Sequence, residues 1–81
     1  MGAVHSKWST VRGLVIPAEW DDRGNVIALA ISTFDEDEYI IEKNREEERL
    51  YPFIRKEIEA RGIIRDSDGK KRIEVRDYKT R

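Results

Sequence analysis

Hydrophobic and polar residues alternate with a period of two over most of this chain, the pattern of β-strands that pack one face into a core. The clearest run is 26–33, in which Ile27, Leu29 and Ile31 alternate with smaller residues. Similar runs occur before and after it. The sequence predicts five strands, at 8–16, 25–33, 38–43, 55–65 and 71–78.

Turns are marked by Asp and Gly. The segments 20–25 and 65–70 both have Asp early and Gly late, which is typical of a type I turn followed by a left-handed glycine. Both are therefore predicted to be β-hairpins. A third turn, at 34–38, has no glycine, and we expect Asp side chains to cap it.

The first strand contains two residues that interrupt regular pairing. Gly13 lies in its middle and predicts a bulge or a bend. Pro17 is expected to end the strand, because proline cannot donate a ladder hydrogen bond.

A helical pattern follows the third strand. Asn44 is a suitable N-cap, and three glutamates follow in the first turn, where the helix dipole favours negative charge. Pro52 disfavours helical geometry at the residue before it, so we expect a short helix at 45–51.

The segment 53–61 admits two interpretations. It alternates acceptably as a strand, but Pro52 could also open a helix that Gly62 closes. We favour the strand, because a hairpin turn at 68–69 needs a strand upstream of it. The residues predicted to form the core are Ile27, Leu29, Ile31, Tyr39, Ile41, Leu50, Ile58, Ile73 and Val75.

The order strand, strand, strand, short helix, strand, strand resembles the oligonucleotide/oligosaccharide-binding (OB) fold. The resemblance rests on Gly13 within the first strand, on the helix between strands three and four, and on Gly62 in a strand that must curve. The segment 13–78 also resembles small uncharacterised bacterial proteins of this type. The resemblance implies an all-β, five-stranded OB-like barrel that forms one domain over 1–81, with an ordered core at about 7–78, and it carries no catalytic residues.

Composition is that of a small soluble domain. The chain has 81 residues, 38% of them hydrophobic, and no cysteine, so neither a disulfide nor a thiolate zinc site is possible. It also has no signal-peptide pattern. A membrane-spanning helix needs about 20 consecutive apolar residues, and no apolar run in this chain approaches that length. We expect a cytoplasmic protein that does not associate with membranes.

Charge is distributed unevenly although the net charge is −1. Residues 1–42 carry three basic and eight acidic residues, whereas residues 43–81 carry thirteen basic and nine acidic ones. Attraction for nucleic acid should therefore come from the C-terminal half. The ordinary alternative is a well-solvated surface of mixed charge.

Aromatic rings beside basic residues are the usual signal for binding of single strands, because bases stack on exposed rings. Trp20, next to Arg23, is the best candidate platform, although a Trp at a strand end can instead cover the open end of a barrel. Strands two and three of OB domains usually bind the ligand, but here their outward residues include Glu38 and Glu42, which repel phosphate. The predicted nucleic-acid-binding residues are Trp20, Arg23, Arg12, Lys70, Lys71, Arg72 and Arg76.

The remaining candidate metal-binding and catalytic residues do not form a recognisable site. The acidic run 35–38 has no glycine to organise a cation-binding loop, and the single histidine, His5, has no second ligand or nucleophile partner in the pattern. We expect no enzymatic activity, no metal and no cofactor. The best hypothesis is weak binding of single-stranded nucleic acid. The alternative is contact with another protein or a second copy, through a flat outward patch of Val26, Ala28 and Ala30.

Overall fold

A computed structural model describes residues 5–80, and five strands in it form a closed barrel in the order β1-β2-β3-β5-β4. All neighbouring strands are antiparallel except β3 and β5, which are parallel. The predicted five-stranded barrel, with one short helix between the third and fourth strands, is confirmed, and its strand order is compatible with an OB-like barrel. The strands are β1 (His5–Trp20), β2 (Val26–Thr33), β3 (Glu38–Ile41), β4 (Glu57–Ser67) and β5 (Lys70–Thr80).

The long strand β1 closes the barrel by pairing with two neighbours. Its first half pairs with β4 and its second half with β2, and Gly13 pairs with residues of both. A Cβ atom at Gly13 would overlap the backbone carbonyl of Ser32, so glycine is required for this close approach. Gly13, where a bulge or bend was predicted, therefore lies at the point where β1 passes from one partner strand to the other, and its pairing there is regular.

Pro17 does not end β1, contrary to the prediction. The strand continues to Trp20, and its irregular pairing lies between residues 17 and 20 rather than at the glycine. The N–H of Val15 donates to the carbonyl of Lys56, away from β2, and the nitrogen of Pro17 two residues later faces the same side. Because β4 no longer pairs with β1 at that point, the missing N–H of Pro17 costs no ladder hydrogen bond.

The three turns differ from one another in conformation. Gly24 adopts the predicted left-handed conformation, with φ of 84°. In the β4–β5 hairpin both Asp68 and Gly69 have positive φ, 55° and 75°, so this is a two-residue type I′ turn rather than the predicted type I turn. In the turn before β3, the hydroxyl of Thr33 accepts the N–H of Asp37 at 3.2 Å, so a threonine caps the bend that Asp was expected to cap.

The helical segment is short and directly capped. Helix α1 (Arg45–Arg49) begins after Asn44, whose Oδ1 accepts the N–H of Glu47 at 2.8 Å. A 3₁₀ turn (Tyr51–Phe53) follows, so the α-helix ends earlier than predicted, and β4 begins at Glu57 rather than at 55. No continuous helix spans 53–61, which confirms the favoured interpretation of that segment. Within residues 5–80, neither helical segment has the length and apolar character needed to cross a membrane.

The barrel interior holds most of the predicted core. Seven of the predicted residues are fully buried, and Tyr39 is half-buried. Ile27 was placed in the core wrongly, since its side chain is 39% exposed. β3 pairs only with 30–32 of β2, and the carbonyl of Ile27 accepts a hydrogen bond from the Lys43 side chain. On the β3 side, therefore, no strand lies beside Ile27. The buried hydrophobic core residues are Val11, Val15, Leu29, Ile31, Ile41, Leu50, Ile58, Ala60, Ile73 and Val75.

Candidate nucleic-acid interface

Three neighbouring strands, β1, β4 and β5, present one continuous outward face, which we call the outer wall. Residues on it alternate with the core residues of the same strands, except at Arg76 and Asp77, where β5 has one extra residue opposite β4. The register places Trp8 opposite Ile63 and Ile63 opposite Glu74. Six basic and four acidic residues give it a net charge of +2, whereas the whole chain has −1. The outer wall consists of Trp8, Thr10, Arg12, Glu57, Glu59, Arg61, Ile63, Arg65, Arg72, Glu74, Arg76, Asp77 and Lys79.

An exposed tryptophan and an arginine form a cation–π contact on this wall. Trp8 is 57% exposed, and the guanidinium carbon of Arg61 lies 5.9 Å from the centroid of its ring. Arg61 is opposite Thr10, two positions along from the partner of Trp8, so the two side chains meet across a diagonal of the antiparallel pair. A cation over an indole face is a favourable contact, worth about 0.5–1 kcal/mol at exposed sites.

Ion pairs tie the outer wall together. The two terminal nitrogens of Arg65 donate to Glu42 at 2.8 Å and to Glu74 at 3.0 Å, and Arg76 contacts the other oxygen of Glu74 at 2.6 Å. The hydrogen bond from Arg65 lowers the pKa of the Glu74 carboxyl, and the charge of Arg76 adds to this. The same contacts raise the pKa of Arg65, the bond to Glu42 most of all. This network joins β4, β5 and the end of β3.

Three of the predicted nucleic-acid-binding residues are held by carboxylates. Arg12 contacts Glu59 at 2.9 Å, and Arg76 is part of the Glu74 network. Lys71 is half-buried and bound to Asp37, so it is less available to phosphate than a free surface lysine would be. These residues keep their positive charge, but the paired carboxylates offset part of their attraction for a phosphate group.

The other four predicted residues are exposed but do not form one surface. Lys70 lies in the β4–β5 hairpin, and Arg72 lies on the outer wall, where it has no ion-pair partner among residues 5–80. Trp20 is 57% exposed, as much as Trp8, but it lies twelve residues further along β1, with Arg23 in the turn that follows. The prediction therefore combined residues from two different parts of the barrel.

Trp8 and Arg61 are the pair that the sequence prediction missed. The tryptophan lies on the polar side of its strand, because Trp8 has the same parity as Thr10 and Arg12, whereas the apolar Val11 lies on the other side. That signal was available in the sequence. Its partner Arg61 was not, because the contact depends on the register between β1 and β4.

The face of β2 and β3 differs from the predicted flat apolar patch. Ala28 and Ala30 are on the outward side of β2, but both are buried. Ala30 pairs with Ile16 on one side and with Ile40 on the other, so larger neighbours cover it. Glu42, predicted to repel phosphate from this face, instead lies in the ion network of the outer wall.

The described residues contain no group of three or more His, Cys, Asp or Glu side chains arranged to hold a metal ion. Comparison of the chain with protein-family models, with curated proteins and with solved structures finds no match. The case for a function therefore rests on the geometry of the outer wall.

Proposed function

We propose that this chain is a non-catalytic binding module, built on an OB-like barrel, that binds single-stranded nucleic acid weakly through its outer wall. The observation that carries the proposal is the exposed ring of Trp8 with the guanidinium carbon of Arg61 over it, 5.9 Å from the ring centroid, on a surface of net positive charge. Tryptophan offers a base a flat apolar partner, and arginine adds charge next to the stack. Both contacts are independent of base sequence.

Outward side chains of adjacent strands lie within reach of one another, so a single strand lying across the wall would meet several of them. A base stacked on Trp8 brings its phosphates near Arg61. Arg72 on β5 offers a further cation, which has no ion-pair partner among residues 5–80. Stacking on an aromatic ring contributes about 1–3 kcal/mol per base, measured by substitution with alanine. The wall combines this contact with phosphate contacts that carry no sequence information.

The carboxylates of the outer wall predict that it binds nucleic acid only weakly. Four carboxylates share the outer wall with six cations, and Glu59 and Glu74 already engage three of the arginines. We expect a Kd in the micromolar range or weaker at physiological salt. The observed affinity should fall by about 0.7 log units per log unit of salt for each phosphate neutralised.

The test is fluorescence anisotropy of labelled single-stranded oligonucleotides at low and at physiological salt. Trp8→Ala and Arg61→Ala should each weaken binding, because they remove the ring and the cation of the stack. Trp20→Ala is a matched control, since it removes an equally exposed tryptophan outside the outer wall. Loss of binding in Trp20→Ala with no change in Trp8→Ala would instead place the site at the first hairpin, and no binding at low salt would exclude the proposal.

The alternative, contact with another protein or a second copy, is supported by apolar residues further along the outward side of β1. Leu14 is exposed there, and Ile16 and Ile40, which flank the buried Ala30, are half-buried. Concentration-dependent mass in solution, together with the absence of oligonucleotide binding, would favour this function.

A further inference from the structure

A groove of about 320 Å³ opens between the outward side of β1 and the turn that precedes β3. Thr10 and Arg12 of the outer wall form one side of it, and Phe34 and Asp35 of the turn form the other. Thr10 and Arg12 follow Trp8 on the same side of β1, so the groove adjoins the surface on which Trp8 and Arg61 meet.

Phe34 is the most exposed large hydrophobic residue among the described positions, with 75% of its surface accessible. The turn that holds it is defined by its own hydrogen bonds: Thr33 and Asp37 bond to each other through the backbone at 2.9 Å, and the Thr33 hydroxyl accepts the N–H of Asp37. The ring is thus presented to solvent by an ordered turn instead of being packed under it. Exposed aromatic side chains of this kind can stack on a base.

The carboxylate of Asp35 is the free acceptor of the groove. Asp37, which also lines it, accepts a hydrogen bond from the ammonium group of Lys71 at 3.0 Å. Asp35 has no hydrogen-bond or ion-pair partner among residues 5–80. An ionised carboxylate only accepts hydrogen bonds, so it selects a ligand that presents N–H groups.

We infer that this groove is a base-recognition subsite that prefers nucleobases with an exocyclic amino group over thymine and uracil. The inference rests on the proposed function and deepens it. Phe34 stacks on the base while Asp35 accepts its amino group, as Asp and Glu accept from N4 of cytosine. Thymine and uracil present carbonyl oxygens at the corresponding position, and these repel a carboxylate.

The spacing along β1 suits a single strand that reaches both sites. Trp8 and Arg12 are four residues apart, which is about 13 Å of strand at about 3.3 Å per residue. Stacked nucleotides advance about 3.4 Å each along one strand, so about four of them cover that distance. A strand stacked on Trp8 can therefore place a base near Phe34 within a few nucleotides.

The test compares two pyrimidine homo-oligomers, octa-deoxycytidine and octa-thymidine, by anisotropy at low salt. We expect the cytosine strand to bind about five- to tenfold more tightly to the unmodified protein. Asp35→Asn should abolish that preference, because the amide also donates a hydrogen bond and accommodates a carbonyl oxygen. Phe34→Ala should weaken binding of both strands.

Glu36→Gln is the matched control, because it removes the same charge from the same turn at a residue that does not line this groove. It should leave the cytosine preference unchanged. Equal binding of the two strands, or an equal loss of preference in Asp35→Asn and Glu36→Gln, would overturn the inference. If both strands bind equally and Trp8→Ala still weakens them, the proposed function stands without base selection. If neither strand binds, both proposals fail.

Discussion

Nζ of Lys71 lies 3.0 Å from Oδ1 of Asp37 and 5.6 Å from the ring centroid of Tyr39. Lys71 pairs with Tyr39 at the start of the parallel β3–β5 ladder, one of the two pairings in the barrel that join non-consecutive strands. The hydrogen bond to Asp37 raises the pKa of the Lys71 ammonium. A lysine predicted as a nucleic-acid contact thus also holds the turn before β3 against β5.

Reversing the charge of Lys71 should destabilise the barrel. In Lys71→Glu two carboxylates face each other where an ion pair stood, so the unfolding temperature should fall, most clearly at low salt. Arg72→Glu makes the same change at the neighbouring exposed position and should have little effect on stability. The measurement is thermal unfolding followed by circular dichroism. A second variant, Lys71→Glu with Asp37→Lys, should recover part of the loss, and equal melting of Lys71→Glu and Arg72→Glu would contradict the role of the pair.

The Glu74 network should make stability depend on acid pH. Because Arg65 and Arg76 lower the folded-state pKa of Glu74 below its ordinary value of 4.5, the ionised carboxylate stabilises the folded state above about pH 4.5. This contribution is lost as the pH falls through the lowered pKa. Urea unfolding should therefore show Glu74→Gln to be less stable than the unmodified protein at pH 7, with the difference shrinking towards pH 3. Glu19→Gln, an exposed carboxylate outside the network, should show no such convergence.

Gly62 should tolerate no side chain. A Cβ atom there would overlap the backbone carbonyl of Glu74 at the bulge where β4 and β5 shift register. Gly62→Ala forces the two strands apart, at a cost of about 1–3 kcal/mol or more in the free energy of unfolding. Gly24→Ala is the comparison: its Cβ would meet open space, so only the left-handed backbone conformation opposes it, at about 1 kcal/mol. Urea titrations measure both, and a larger loss in Gly24→Ala would argue against the close approach of β4 and β5.

Two residues of β2, one buried and one exposed, should differ in how much they contribute to stability. Leu29 is fully buried, and Leu29→Ala should cost about 2–5 kcal/mol of stability, because it removes buried methyl groups and leaves a cavity. Ile27 has the same place in the alternating pattern but is exposed, so Ile27→Ala should cost about 1 kcal/mol or less. Denaturant unfolding of both variants checks the register of β2, and similar losses would mean that Ile27 is covered in solution.

Only part of the outer wall is predictable from the sequence. Alternation places Trp8 and Arg12 on the outward side of a strand from the sequence alone. Whether Arg61 or another cation lies beside Trp8 depends on how β4 is aligned with β1, and a shift of one residue would turn every side chain of β4 to the other face. The charge asymmetry of the two halves of the chain correctly marked the basic end, but not which of its residues are already paired.

Local sequence patterns are sufficient to predict the number of strands and their order along the chain, the cap of α1 at Asn44, the hairpin glycines and most of the buried residues. These features depend on interactions between residues close in the chain and on the two-residue period within each strand. Pairing between distant strands, by contrast, explains why Pro17 can continue β1, why Ile27 is exposed and why Lys71 is held by Asp37. Each of these outcomes depends on which strand lies beside the residue, and strand pairing joins segments whose alignment no local pattern specifies.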